Sequence, residues 1–504
     1  MLENYVKKIL TARVYDIAVE TPLQPACRLS QRYHNNILIK REDLQPVFSF
    51  KIRGAYNKIA HLDQAAQQAG IIAASAGNHA QGVALAAQQL GLKALIVMPI
   101  TTPHIKVASV RNYGAQVILH GDTFDQACNH SQQLVKERGY QYIHPYDDPE
   151  VIAGQGTIAM EIMRQCSSDI HTLFVPVGGG GLIAGIAAYV KYVRPSTQII
   201  GVEPQDAACL QQALLANKRV VLPEVGLFAD GVSVAQTGKE PFRVARHCVD
   251  QVITVSVDEI CAAIKDIFTD TRVISEPAGA LAIAGLKKYV GQHQLKDNTL
   301  VAINSGANIN FDRLGYISER TQVGEKRESI FAIKIPEQPG SFNAFCQIVG
   351  KHNVTEFNYR YDRPDYAMVF VGIHIQPQSQ DYHNLIAQLK KVNYSVADLS
   401  DNEMAKLHIR HMIGGHGPKI THELLYRFDF PERPGALLQF LQVLGNRWSI
   451  SMFHYRNHGS AFGRILLGLQ ADSTEKQEVQ HYLDKIGYNY AEETDNLAYK
   501  LFLA

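Results

Sequence analysis

A chain of 504 residues, 46% hydrophobic and 19% charged, is long for one folding unit and has the makings of two or three ordinary globular cores. Its formal net charge of +1 leaves no global field to recruit nucleic acid or an anionic membrane, and pairs such as Lys7-Lys8 and Lys287-Lys288 read as solvated surface. The seven cysteines are odd in number, widely spaced and without a C-x-x-C pair, which argues against a disulfide framework or zinc site and fits a reducing cytosol.

No run approaches the ~18 apolar residues that span a bilayer. No apolar signal core follows the first lysines either, so a soluble cytoplasmic protein with no metal is expected.

From about Ile37 to Ile309 short β-branched runs alternate with longer Ala-rich segments. Strands are expected at Ile71–Ala74, Ala94–Met98, Gln116–Leu119, Thr172–Val177, Gln198–Val202 and Leu300–Ile303, with helices such as Ala80–Leu90 between them. Strand-then-helix repetition predicts open parallel sheets covered on both faces, with ligands bound just beyond the strand ends.

Four constellations lie within this region. In Ser49-Phe50-Lys51-Ile52-Arg53-Gly54-Ala55 the lysine sits among apolar neighbours. Burial lowers an amine's pKa and leaves more of it neutral, as imine formation requires; a surface lysine with a packed stem is the plainer reading. Next, Ser75-Ala76-Gly77-Asn78-His79-Ala80-Gln81-Gly82 follows an apolar strand. Small residues there allow close backbone approach, and Asn78 both donates and accepts. His79 invites an acid–base role, but a histidine in such a turn is more often structural.

In Val177-Gly178-Gly179-Gly180-Gly181-Leu182 four glycines between a strand and an apolar helix can aim successive N–H groups at one anion. No Gly-Lys-Ser/Thr follows, so this is not a P-loop. A dinucleotide fingerprint lacks its third glycine, although an acidic residue, Glu203, stands about twenty positions on and keeps that reading open. A turn without ligand is the other alternative. Finally, Asn304-Ser305-Gly306-Ala307-Asn308 places a hydroxyl at a strand end, where it could meet a ring nitrogen or be an ordinary loop serine.

After Arg313 the composition changes. Ser318–Ser329 is polar, without apolar periodicity, and reads as a linker. Beyond it Phe331–Gly350 aligns with Tyr426–Gly445, seven of twenty positions being identical. After a one-residue shift Phe357-Asn358-Tyr359-Arg360 matches Phe453-His454-Tyr455-Arg456, and Gly372 matches Gly468. Each copy reads as strand, Pro-x-x-Pro-Gly turn, helix, then further strands.

Taken together, Lys40–Tyr56, Ser75–Gly82, His144–Glu161, the tetraglycine loop, Phe228–Val234, Glu276–Ala280 and Ser305–Leu314 resemble, in order, the fold-type II pyridoxal-phosphate enzymes. Within them they resemble the biosynthetic threonine dehydratases, and the duplicated tail is similar to that family's paired ACT-like regulatory subdomains. The resemblance covers nearly the whole chain. It implies an α/β, two-lobed parallel-sheet catalytic domain over 1–315, of the tryptophan synthase β type. A linker over 316–329 and ACT-like subdomains over 330–403 and 404–504 would follow. Carried over by position, Lys51 would bear pyridoxal 5'-phosphate and act as catalytic base. Asn78 would bond the ring oxygen, Gly178, Gly179, Gly180, Gly181 and Leu182 would cradle the phosphate, and Ser305 would meet the pyridine nitrogen. Ser233, where alanine is usual, and Asn304, where leucine is commoner, are departures that touch none of these roles.

The resemblance further implies dehydration and deamination of L-threonine to 2-oxobutanoate and ammonia, with L-serine as a slower substrate. Feedback inhibition by isoleucine, opposition by valine and a homotetramer would accompany it. A serine-directed dehydratase or racemase, a β-replacement enzyme and a catalytically idle amino-acid sensor are the rivals, and for the tail a pure oligomerisation module.

Overall fold

Short β-branched runs become strands and the Ala-rich segments between them become helices. The computed structural model describes residues 2–324, 328–336, 341–349, 352, 354–359, 365–373, 375–411, 422–431, 448–456, 462–472 and 474–503. The chain divides into two compact units, Met1–Phe311 and Asp312–Ala504.

In the first unit the strands are β1 (Leu23–Pro25), β2 (Asn36–Arg41), β3 (Ile71–Ala74), β4 (Ala94–Met98), β5 (Gln116–Leu119), β6 (Gln141–Tyr142), β7 (Thr172–Pro176), β8 (Gln198–Pro204), β9 (Gln251–Val255) and β10 (Thr299–Asn304). They form two sheets, β1-β2-β10-β7-β8-β9 and β5-β4-β3-β6. Every pairing is parallel except β1 with β2. These are the two lobes expected, and each strand anticipated from the sequence is present to within two residues at either end.

Parallel strands covered on both faces must be apolar throughout, and β3, β4 and β7 are buried at every position. The larger lobe packs Leu173 and Val175 of β7 among Ile152, Ile158, Ile183 and Ile186 of the helices Pro149–Gln165 and Gly181–Val193. In the smaller lobe Ala80, Val83, Ala84 and Ala87 of the helix Asn78–Leu90 lie on Ile71, Ala73, Ile96 and Met98. The alanines that made this stretch read as helix also let it sit close to the sheet.

The second unit holds β11 (Ser329–Pro336), β12 (Val354–Tyr359), β13 (Tyr366–Ile373), β14 (Ser395–Asp398), β15 (Leu424–Pro431), β16 (Ser449–Arg456), β17 (Phe462–Gln470) and β18 (Tyr490–Glu492). Two antiparallel sheets of equal topology result, β12-β13-β11-β14 and β16-β17-β15-β18. The duplication extends to an irregularity. The register shifts between Val354 and Glu356 in one copy and between Ile450 and Met452 in the other, and the residue facing Glu356 or Met452 is the matched Gly372 or Gly468.

One face of each sheet holds its own core, Phe331, Ile333 and Val371 in the first and Tyr426, Phe428 and Leu467 in the second. The opposite faces meet in a shared cluster that includes Ile330, Phe370, Leu425, Leu466 and Phe502. The segment read as a linker departs from expectation. Leu314–Gly324 is helical, and Arg320 within it is buried and bonded to Glu403. The Pro-x-x-Pro-Gly turns at 337–340 and 432–435 lie outside the described residues.

Candidate active site

The candidate residues follow strand ends. Asn78 opens a helix after β3, Gly178–Gly181 follow β7 and Ser305 follows β10, while Lys51 opens the helix Lys51–Ala60 beyond β2. All of them, with Leu182, line one cavity that is partly open to solvent. Phe50, Pro145, Tyr146, Gln155, Val232, Glu276 and Ala278 complete most of its wall.

Two segments distant in sequence close the floor of the cavity. Ser49 forms an antiparallel bridge with Gly306, the Phe50 N–H donates to the Ser305 carbonyl (3.2 Å) and the Ala307 N–H to that of Phe48 (2.9 Å). Lys51 and Ser305 are thereby held by one piece of backbone pairing. The Lys51 ammonium donates to the Pro145 carbonyl at 3.0 Å. Burial pushes its pKa down to about 8, against a smaller upward pull from Glu276. Roughly a tenth of such an amine is neutral at pH 7, against less than about a thousandth for a free lysine.

Only glycine fits the loop after β7. A Cβ on Gly179 would lie 2.2 Å from the Tyr146 ring, and Gly180 has φ +92°, where side chains are strained. Gly180 precedes the helix Gly181–Val193, whose first N–H groups have no carbonyl of the preceding turn to bond. This is the anion-binding end of a 13-residue helix, set in the cavity wall.

Asn78 is held from both sides. Its Nδ2 donates to Glu276 Oε1 at 2.6 Å, and its Oδ1 accepts from Asn308 Nδ2 at 2.7 Å. Burial, then the nearby Asp230 charge, raise the Glu276 carboxyl to about 7. The motif Glu276–Ala280 is visible in the sequence, but nothing local in it places the carboxyl in the cavity. Ser305 is almost fully buried, and its hydroxyl makes one long contact, 3.4 Å, to the Ala278 carbonyl. That leaves it able to turn toward a better partner.

His79 is structural in geometry. Its Nε2 lies 2.8 Å from the Ile143 carbonyl, and burial, with the Lys51 charge, lowers its pKa to about 3. Glu203, which had kept the dinucleotide reading open, is fully buried and accepts from the Leu210 and Gln211 N–H groups at 2.8 and 2.9 Å. Its carboxylate is engaged and does not line the cavity. Ser233 and Asn304 likewise stay out of the cavity wall. Ser233 bonds the Ala229 carbonyl and Asn304 accepts from Ser275.

A buried amine of depressed pKa, a glycine cradle that any Cβ would fill and a pivoting buried hydroxyl suit a phosphorylated pyridine aldehyde. The fold and this site define a fold-type II pyridoxal-phosphate enzyme, and residues 14–306 match the family described as pyridoxal-phosphate dependent enzyme. Residues 319–409 and 415–503 match the C-terminal regulatory domain of threonine dehydratase.

Over 504 residues, 99% of each chain, the sequence is 52% identical to the protein of Burkholderia multivorans described as L-threonine dehydratase biosynthetic IlvA. It is 51% identical to the Pasteurella multocida protein of the same description over 99% of this chain and 97% of that one. Among solved structures, the processed form of threonine deaminase isoform 2 from Solanum lycopersicum superposes with a TM-score of 0.62 at 50% identity, covering 63% of this chain and 93% of that one. The chain belongs to the biosynthetic threonine dehydratase family of pyridoxal-phosphate enzymes.

Proposed function

We propose that the protein dehydrates and deaminates L-threonine to 2-oxobutanoate and ammonia in the cytoplasm, as the committed step toward isoleucine. The observation that carries this reading is the convergence of Lys51, Asn78, the four glycines, Leu182 and Ser305 on one cavity. Pyridoxal 5'-phosphate, when bound, supplies the electron sink for the bonds at the substrate's Cα. Lys51 would carry it, the N–H groups of Gly178–Leu182 would hold its phosphate, Asn78 its ring oxygen and Ser305 its pyridine nitrogen.

Lys51 Nζ would be the base for the Cα proton; its lowered pKa leaves enough of it neutral to accept one. A neutral hydroxyl at position 305 adds no charge beside the ring nitrogen, which suits elimination of a β-hydroxyl better than chemistry through long-lived carbanions. Serine lacks one methyl, worth ~1–3 kcal/mol in an apolar pocket, and is expected as a slower substrate.

The duplicated tail supports regulation, with isoleucine as inhibitor, valine opposing it and a homotetramer transmitting the response. Tyr359, Arg360, Tyr455 and Arg456 lie in the repeated segments, and their side chains lie outside the described residues. Assaying 2-oxobutanoate from threonine, with and without isoleucine, tests both parts. Lys51→Ala is expected to abolish turnover together with the visible absorbance of the Lys51-linked cofactor, and survival of either would remove Lys51 from its role.

A further inference from the structure

Glu276 is the residue immediately before the helix Pro277–His293, the position from which an acidic side chain ordinarily caps its own helix. It does not do so. Its side chain makes no cap bond, and its carboxyl turns into the cavity to accept from Asn78 Nδ2 at 2.6 Å and from the Asn308 backbone N–H. Asn308 completes the arrangement. Its side-chain amide donates at 2.7 Å both to the Val47 carbonyl and to Asn78 Oδ1, so both of its hydrogens are used and it cannot turn over without loss. The Asn78 amide is therefore fixed at oxygen and nitrogen alike, and one N–H remains for a ligand.

The charges around this pair are few. Glu276, His79 and His144 act on Lys51, and burial lowers the pKa of both histidines, which keeps them uncharged. Glu276 itself faces Asp230 and Lys106, which are bonded to each other at 2.6 Å. Of the groups acting on Lys51, Glu276 alone supplies negative charge, and it does so as pH rises through its own raised value of about 7.

We propose that Glu276 is a positioning residue that orients Asn78 toward the cofactor's ring oxygen and holds the proton on the Lys51-linked nitrogen. This rests on the reading of Lys51 as the cofactor-bearing amine. An anion beside a protonated nitrogen raises that nitrogen's pKa. Replacing the carboxylate by an amide of equal size keeps an acceptor for Asn78 and deletes the charge.

The test is a pH titration of the visible absorbance of the full-length cofactor-loaded protein, with Glu276→Gln and Glu276→Asp beside it. Glu276→Gln is expected to lower the absorbance pKa by about one unit. Glu276→Asp, which keeps the charge, should stay close to the parent. An unchanged pKa in Glu276→Gln overturns the proposal, as does equal loss of cofactor from both variants without a shift, the mark of a merely structural role. A band that persists in Lys51→Ala, or no band in the parent, would instead sink the reading of Lys51.

Discussion

Each unit contains an arginine paired with glutamate, and the two pairs differ in what surrounds them. In the first unit Arg53, two residues beyond Lys51, bonds Glu42 through Nε and Nη2 (2.8 Å each) and Glu161 through both Nη atoms (2.5 and 3.0 Å). Lys40 adds a 2.6 Å bond to Glu161, and all four side chains are fully buried. Burial alone would raise Glu161, but Arg53 and Lys40 overcome it and hold the carboxyl below its ordinary value. In the second unit Arg320 makes an equally well-shaped two-point contact with Glu403, at 2.8 and 3.0 Å, yet the glutamate side chain is 48% exposed. The pairing chemistry is the same and the dielectric is not. A buried network costs several kcal/mol when one member is removed, whereas a half-solvated pair is relieved by water.

That contrast can be broken by experiment, because Trp448 is the sole tryptophan and belongs to the second unit. Its fluorescence follows that unit, and release of the cofactor's absorbance follows the first. Arg53→Met takes the bonded cation from buried Glu42, leaves buried Glu161 with Lys40 as its remaining cation, and is expected to destabilise the first unit by about 3–5 kcal/mol in urea, leaving the Trp448 midpoint in place. Equal movement of both signals would mean that the units unfold as one. Lys40→Met leaves Glu161 its bonds to Arg53 and the Thr21 carbonyl its bond from Gln165, so a smaller loss of ~1–3 kcal/mol is expected.

Arg320→Met should cost about 1 kcal/mol or less, read by Trp448 alone. The same pair has a pH signature. Burial would raise Glu403, but Arg320 and Lys406 lower it to about 2. A depressed carboxyl contributes its stability above the unfolded value of about 4.3, and that contribution is lost as pH falls from there toward 2. Given the exposure of Glu403, the acid-induced drop in the Trp448 midpoint should be small, and smaller still in Arg320→Met, where Lys406 alone still lowers the carboxyl.

What could be read from sequence was local. The glycine run, the apolar strands before it and the Ala-rich helices announce themselves within a dozen residues, because backbone conformation and periodicity are local properties. The duplication was visible for the same reason, down to Gly372 and Gly468. What stayed hidden depends on distance along the chain. Lys40, near the end of β2, carries a charge that looks solvent-facing, yet it is buried because its partner Glu161 arrives from a later helix. Glu276 before Pro277 reads as an ordinary helix start, and only the fold turns its carboxyl toward Asn78. The helix Leu314–Gly324 was masked by its polar composition, since its apolar residues form no regular stripe.

The pairing of Ser49 with Gly306 carries a consequence for biosynthesis. Lysine and serine come from opposite ends of the first unit, so a polypeptide emerging from the ribosome has its amine long before it has the strand that completes the pocket. Contacts of such sequence separation form late. Nascent chains arrested at graded lengths should retain the vitamin B6 aldehyde only once the stretch after β10 has left the exit tunnel.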